Sequence, residues 1–317
     1  MDSTLTESDQ NDFRRFLRGL LMHSVVGASL GGVCTLIGEP QNLLIGNAAG
    51  WRFVEYFQHL APVSLPVLIA GTFTCILLER FKAFNYGHSL TEPARSALTA
   101  HLNKRYKIQK DTQTLARLWV QAIALGMMIL ALVLQSIDIG LLGLVLLIVI
   151  TAANGITDQK QIGSAFVESL PFAALLVVFF TVVSATQQQH LLQPVFHWLA
   201  QLRAIEQPSW YFFTSGLLSC ISDSVFTATI YINEISDALD GAVIARAHFD
   251  RLAIAISAGT SALSIATPHG QSAFLLILAS GLARRITLSY RQIIMMTVPY
   301  TLVVGAVSYV CVRYALP

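Results

Sequence analysis

The chain has 317 residues, 54% of them hydrophobic and 12% charged. A soluble domain carries about 25% Asp, Glu, Lys and Arg, so the composition excludes an ordinary water-soluble fold. The net charge of +2 decides little, because the basic residues matter by location. The stretches 118–134, 139–153, 169–189, 252–283 and 293–312 contain no acidic or basic residue except His269. Crossing a bilayer takes about 20 mostly apolar residues, and five such stretches in one chain predict an all-α polytopic membrane protein.

In chain order, residues 1–18 read as a polar and then basic N-terminal tail ending in Arg14, Arg15 and Arg18, with no cleavable signal pattern. Residues 19–79 hold a long apolar stretch interrupted at Gly38-Glu39-Pro40-Gln41-Asn42, then a connector with Arg52 and Glu55, then a span over 61–78. Residues 80–114 form a hydrophilic loop rich in Lys and Arg. Such loops lie on the cytoplasmic side, and this one sits beside anionic lipid rather than nucleic acid.

Residues 115–317 carry spans over 118–134, 139–153 and 166–185, followed by an interfacial segment over 187–207. An apolar segment over 210–232 contains Asp223; after a loop of mixed charge, the stretch 252–283 is broken at Ala266-Thr267-Pro268-His269-Gly270. The last span covers 293–312. A full crossing by 210–232 would leave Arg284, Arg285 and Arg291 outside, against the positive-inside rule. That segment is therefore expected to be a re-entrant hairpin with Ser222-Asp223-Ser224 at its tip.

The two broken stretches resemble each other. Gly31 precedes Pro40 by nine positions, and Gly259 precedes Pro268 by nine. The charge count runs them in opposite directions, as in inverted-repeat transporters whose discontinuous helices meet near the midplane. Proline removes a backbone donor and clashes with the preceding turn, which frees carbonyls and half-helix ends to meet an ion.

A charged side chain inside a span costs a few kcal/mol, so Glu39 and Asp223 need a reason to be there. A carboxyl that gives up solvation holds its proton more tightly and can exchange it for a cation; capping a helix end is the other reading of each. Around them, Gln41 and Asn42 offer amide oxygens, and Ser222, Ser224, Thr260, Ser261 and Thr267 offer hydroxyls, a set suited to a small hard cation such as sodium. His269 in the second break is a candidate for proton coupling, with packing as its other reading, whereas His23 in the first span reads as packing. Asp158 and Glu168 flank a span, where solvated positions are expected. The four cysteines lie singly in apolar segments with no ligand spacing. Enzyme and cofactor signatures such as His-Glu-x-x-His or a phosphate loop do not occur.

At these residues the chain resembles the NhaB-type sodium/proton antiporters, of the ion transporter superfamily that includes arsenite and dicarboxylate carriers. The likeness runs along almost the whole chain. It is carried by Gly38-Glu39-Pro40-Gln41-Asn42-Leu43, Ala48-Ala49-Gly50-Trp51, Glu168-Ser169-Leu170-Pro171-Phe172, Tyr231-Ile232-Asn233-Glu234, Ala266-Thr267-Pro268 and Pro299-Tyr300-Thr301-Leu302.

The resemblance implies sodium export driven by proton entry across a bacterial inner membrane, with sodium ion and proton as partners and the Pro breaks and Asp223 hairpin as ion-site elements. Three positions depart from the family pattern: Ser224, Ser261 and His269 stand where it has asparagine, which removes three amides from the expected site. The resemblance also implies a further N-terminal region, so the first repeat is expected to be incomplete here and the chain truncated or one part of a split protein. Competing expectations are a small-anion carrier of the same fold and a non-transporting membrane subunit or remnant; a homo-oligomer fits any of the three.

Overall fold

The computed structural model describes residues 6–109, 112–134, 139–156, 158–279 and 281–316. Helix α1 (Glu7–Gly32) opens on a capping box. The Thr6 hydroxyl accepts from the Asp9 amide at 3.2 Å, and the Asp9 carboxylate accepts from the Thr6 amide at 3.3 Å. This reciprocal cap starts the helix well inside the stretch expected to be a polar tail. The Thr6 hydroxyl also holds the Asp9 carboxyl below its ordinary range. Met22, Val26, Ser29 and Leu30 recur at helical spacing and are buried.

After Gly32 the chain leaves the helix for residues 33–39 and re-enters it as α2 (Pro40–Ala49). Pro40 suits that first position, since its missing N–H would have no helical partner there. Helix α2 closes on Gly50 at φ +64°, the left-handed conformation that glycine reaches without a Cβ penalty. Helix α3 (Phe53–Phe81) carries Pro62 and Pro66 within it.

The expected basic loop contains a polar helix, α4 (Glu92–Gln109). Then follow α5 (Thr112–Leu134), α6 (Ile139–Ala153), α7 (Gln159–Gln188) and the short α8 (Gln193–Gln201). Helices α9 (Gln207–Ile221) and α10 (Ser224–Asp240) are separated at Ser222-Asp223. Helix α11 (Arg246–Ala262) gives way to a 3-10 turn at Ser264–Ala266, and helix resumes as α12 (Ser272–Ala279). A short α13 (Gly281–Arg285) precedes α14 (Tyr290–Tyr314). Among the described residues every regular element is helical.

Among the described residues, three helices are long and apolar enough to cross a membrane: Phe53–Phe81, Leu115–Leu134 and Tyr290–Tyr314. Much of their apolar surface faces outward, with Ile69 70%, Trp119 63% and Leu302 68% exposed. Water tolerates few such contiguous faces on a soluble protein, whereas lipid requires them.

The chain divides into two compact units, Met1–Thr91 with Phe180–Pro317, and Glu92–Phe179. In the second, α5 packs on α6. In the first, α9 packs along α11, α14 along α3, and α10 against both α2 and α11. Its core includes Tyr56, Leu60, Phe212, Phe249, Ile256 and Met296, each at most 1% exposed.

Both breaks are held by close backbone approach. A Cβ on Gly38 would lie 2.3 Å from the Gly32 carbonyl oxygen, so the segment after α1 folds back on the end of that helix. A Cβ on Gly270 would lie 2.5 Å from the Ser264 oxygen and 2.6 Å from that of Ser219, which seats the second break on the end of α9.

Candidate functional site

The first break delivers Glu39 to a position 6% exposed, just ahead of α2. Each carboxylate oxygen takes two hydrogen bonds. Oε1 accepts from Ser29 Oγ at 3.1 Å and Gln271 Nε2 at 2.9 Å. Oε2 accepts from Gln41 Nε2 at 2.7 Å and Ser261 Oγ at 2.8 Å. Gln271 Nε2 also lies 2.6 Å from Ser29 Oγ, which closes the ring. The two breaks therefore meet at one side chain: Ser261 lies in the last turn of α11 and Gln271 immediately precedes α12.

All four partners are neutral. Among the described residues no lysine, arginine or histidine forms an ion pair with Glu39. An ionised carboxylate buried without a counter-charge costs several kcal/mol, a cost that a proton or an accompanying cation removes. The shell can serve either state. A hydroxyl that donates to a carboxylate can turn and accept from the protonated acid, or present a lone pair to a cation.

Beside Glu39, Asn42 is fully buried and its Nδ2 donates to the Gly32 and Thr35 carbonyls, both at 3.0 Å. Those two acceptors fix the orientation of the amide, and Asn42 Oδ1 is left buried without a partner. Unpaired buried acceptors are rare in native structures.

Asp223, 6% exposed, is the N-cap of α10, and its Oδ1 accepts from the Val225 amide at 2.7 Å. Ser222 Oγ is 2.8 Å from the Leu218 carbonyl and 3.0 Å from Thr227 Oγ1, and Ser224 is buried in the first turn. No direct hydrogen bond joins Asp223 to Glu39 among the described residues. The second break is tied to the end of α9, just ahead of Asp223: Thr267 Oγ1 donates to the Cys220 carbonyl at 2.6 Å and Cys220 Sγ to the Leu263 carbonyl at 3.0 Å.

Two expected ligands face elsewhere. Thr260 Oγ1 bonds back to the Ile256 carbonyl of its own helix at 2.8 Å, the common fate of a hydroxyl inside a helix. His269 is exposed and pairs with the Tyr290 hydroxyl at 2.9 Å. Pro268 is buried within the break, four residues before α12 begins, whereas Pro40 opens α2 directly. Asp158 is exposed, and the expectation for the Glu168 side chain falls outside what the structure describes.

Sequence reading missed Ser29 and Gln271. Gln271 follows the Thr267-Pro268-His269-Gly270 string directly, so a polar amide entering an apolar half-helix was the available signal. Ser29 had no signal beyond a Gly/Ser/Ala-rich run.

Long outward-facing apolar helices, two of the remaining ones broken around a buried carboxylate, define a helical membrane protein built about discontinuous helices. The family model for bacterial Na+/H+ antiporter B (NhaB) matches residues 2–317, and the chain belongs to that family. It is 50% identical over 305 residues to a Na(+)/H(+) antiporter NhaB of Pseudomonas aeruginosa, covering 96% of this chain and 61% of that protein. A Pseudomonas putida relative of the same name is 49% identical over 98% of this chain and 62% of its own length. One from a Marinomonas species is 47% identical, with the same shares of 98% and 62%. The chain thus spans about three fifths of the length of these relatives. No solved structure matches it.

Proposed function

We propose that this chain carries a site of sodium/proton antiport, exporting sodium and admitting protons across a bacterial inner membrane. The observation that carries the reading is the Glu39 carboxyl, buried at the meeting of two helix breaks with four neutral partners and no basic one. Such a group favours a proton or a small cation over standing bare, and because both occupants take the same carboxylate lone pairs they exclude each other. In the cation-loaded state Ser29 and Ser261 turn their lone pairs inward, and Asn42 Oδ1 is one further oxygen. Asp223, capping α10, is the second carboxylate of the pathway.

Within this reading the two broken helices are inverted counterparts, and α9 with α10 forms a re-entrant hairpin. The convergence of both breaks on Glu39 supports the inversion, because discontinuous helices of inverted repeats meet near the midplane. The names of the relatives support the same ion pair.

Everted membrane vesicles from an antiporter-deficient host expressing the chain test this. Adding sodium is expected to dissipate a preset pH gradient, and Glu39→Gln is expected to abolish the response. A Glu39→Gln chain that responds like the native one, at equal insertion, contradicts the assignment. An inserted native chain that gives no response contradicts transport by this chain.

A further inference from the structure

The polar start of α1 and the turn between α13 and α14 lie against each other. Arg18, half-buried where α1 passes from polar to apolar sequence, reaches the Thr287 carbonyl of that turn at 3.5 Å. The turn is closed by the Thr287 amide on the Arg284 carbonyl at 3.3 Å and the Leu288 amide on the Ala283 carbonyl at 2.9 Å. Ile286 and Leu288 are buried on either side of Thr287, while Arg284, Arg285 and Thr287 itself are exposed. Arg14 stands one helical turn before Arg18 on α1 and pairs with the Asn11 side-chain oxygen at 3.3 Å.

Four arginines thus sit on two segments in contact, and among the described residues none of the four is in an ion pair. Arg15, near enough to Arg18 to repel it, has Asp12 at 4.0 Å. Like charges gathered this way repel one another and favour an anion among them. A guanidinium fork matches a phosphate through two parallel hydrogen bonds and gives up its hydration readily. Beside the arginines the surface turns apolar: Leu20, two residues on from Arg18, and Leu282, two residues ahead of Arg284, are both exposed. A ligand that suits both parts is anionic at one end and hydrocarbon at the other.

We propose that Arg14, Arg18, Arg284 and Arg285 form a site for the phosphate of an anionic phospholipid, whose acyl chain covers Leu20 and Leu282. A zwitterionic phospholipid carries its own ammonium and leaves the charge of the cluster unbalanced, whereas phosphatidylglycerol brings a net negative charge. Inorganic phosphate supplies the anion but nothing to cover the two leucines. The site rests on the membrane character of the chain alone, so it goes beyond the antiport reading and stands or falls without it.

The test is native mass spectrometry of the full chain in detergent, titrated with phosphatidylglycerol or with phosphatidylcholine of the same acyl chains. Phosphatidylglycerol is expected to bind at least roughly 10-fold more tightly, since each arginine near a lipid phosphate contributes a factor of roughly 5. Arg18→Gln and Arg285→Gln are each expected to weaken phosphatidylglycerol binding roughly 5-fold and to leave phosphatidylcholine unchanged. Arg285 is exposed, so its variant keeps the test valid should Arg18→Gln unfold the chain. Arg95→Gln, in the other basic stretch and 3.7 Å from Glu92, is expected to bind like the native chain. Equal binding of the two lipids overturns the proposal, as does a preference that survives undiminished in Arg285→Gln or falls as far in Arg95→Gln. Displacement of the lipid by millimolar inorganic phosphate assigns the site to a free anion and overturns the lipid reading.

Discussion

Glu39 and Asp223 were legible in the sequence for one reason: a carboxylate in an apolar stretch requires a compensating environment. What the sequence did not show is how differently the two are compensated. Asp223 takes the helix-cap role, one oxygen on the Val225 amide, while Glu39 draws four donors from four separate positions. Those donors come from residues up to 232 positions away from Glu39, and no local pattern announces such a contact.

The difference can be measured. Gln271→Leu removes one donor from each of Glu39 Oε1 and Ser29, and is expected to destabilise the chain by about 1–3 kcal/mol, seen as a lower thermal midpoint in detergent. Asp223→Asn preserves a good cap and is expected to leave that midpoint nearly unchanged. Any loss of sodium response in that variant then reports on ion chemistry rather than folding.

At the scale of elements, the apolar helices and both breaks were readable because proline, glycine and hydropathy act locally. The polar helices were not. Helix α4 lies wholly within the basic stretch 80–114, and α10 runs eight residues past the apolar segment to Asp240, because charged residues end an apolar run without ending a helix. The start of α1 at Glu7 was signalled by Thr6-x-x-Asp9, a box whose strength lies in its reciprocal bonds.

That cap has a signed pH dependence. Asp9 is held below its ordinary range by Thr6, so its contribution is fully present above the unfolded midpoint, about 3.9, and is lost as pH falls through the lower folded one. Amides of the first turn of α1 are expected to stay protected at pH 5 and to open only in stronger acid. Close packing offers a second test. A Cβ on Gly216 would lie 2.4 Å from Leu263 Cδ1 and 2.9 Å from the Gly259 carbonyl oxygen. Gly216→Leu is therefore expected to push α9 off α11 at a cost of about 1–3 kcal/mol, visible as a lower thermal midpoint and faster amide exchange in both helices.

For the molecule as a whole, membership of the NhaB family rests on a match along nearly the entire chain, and the resemblance seen in its motifs pointed to the same family. The site adds a physical reason for the proposed exchange: one carboxyl buried between two helix breaks with four neutral donors and, among the described residues, no basic partner. Each oxygen of Glu39 has two donors, and Ser261 supplies one of the four.

The most direct measurement is proton release from the purified chain in weakly buffered detergent on addition of sodium chloride, with choline chloride as the control. The account predicts that sodium acidifies the solution through Glu39 and that Glu39→Gln abolishes that release. Equal release from native and Glu39→Gln chains, or none from a folded native chain, would contradict it.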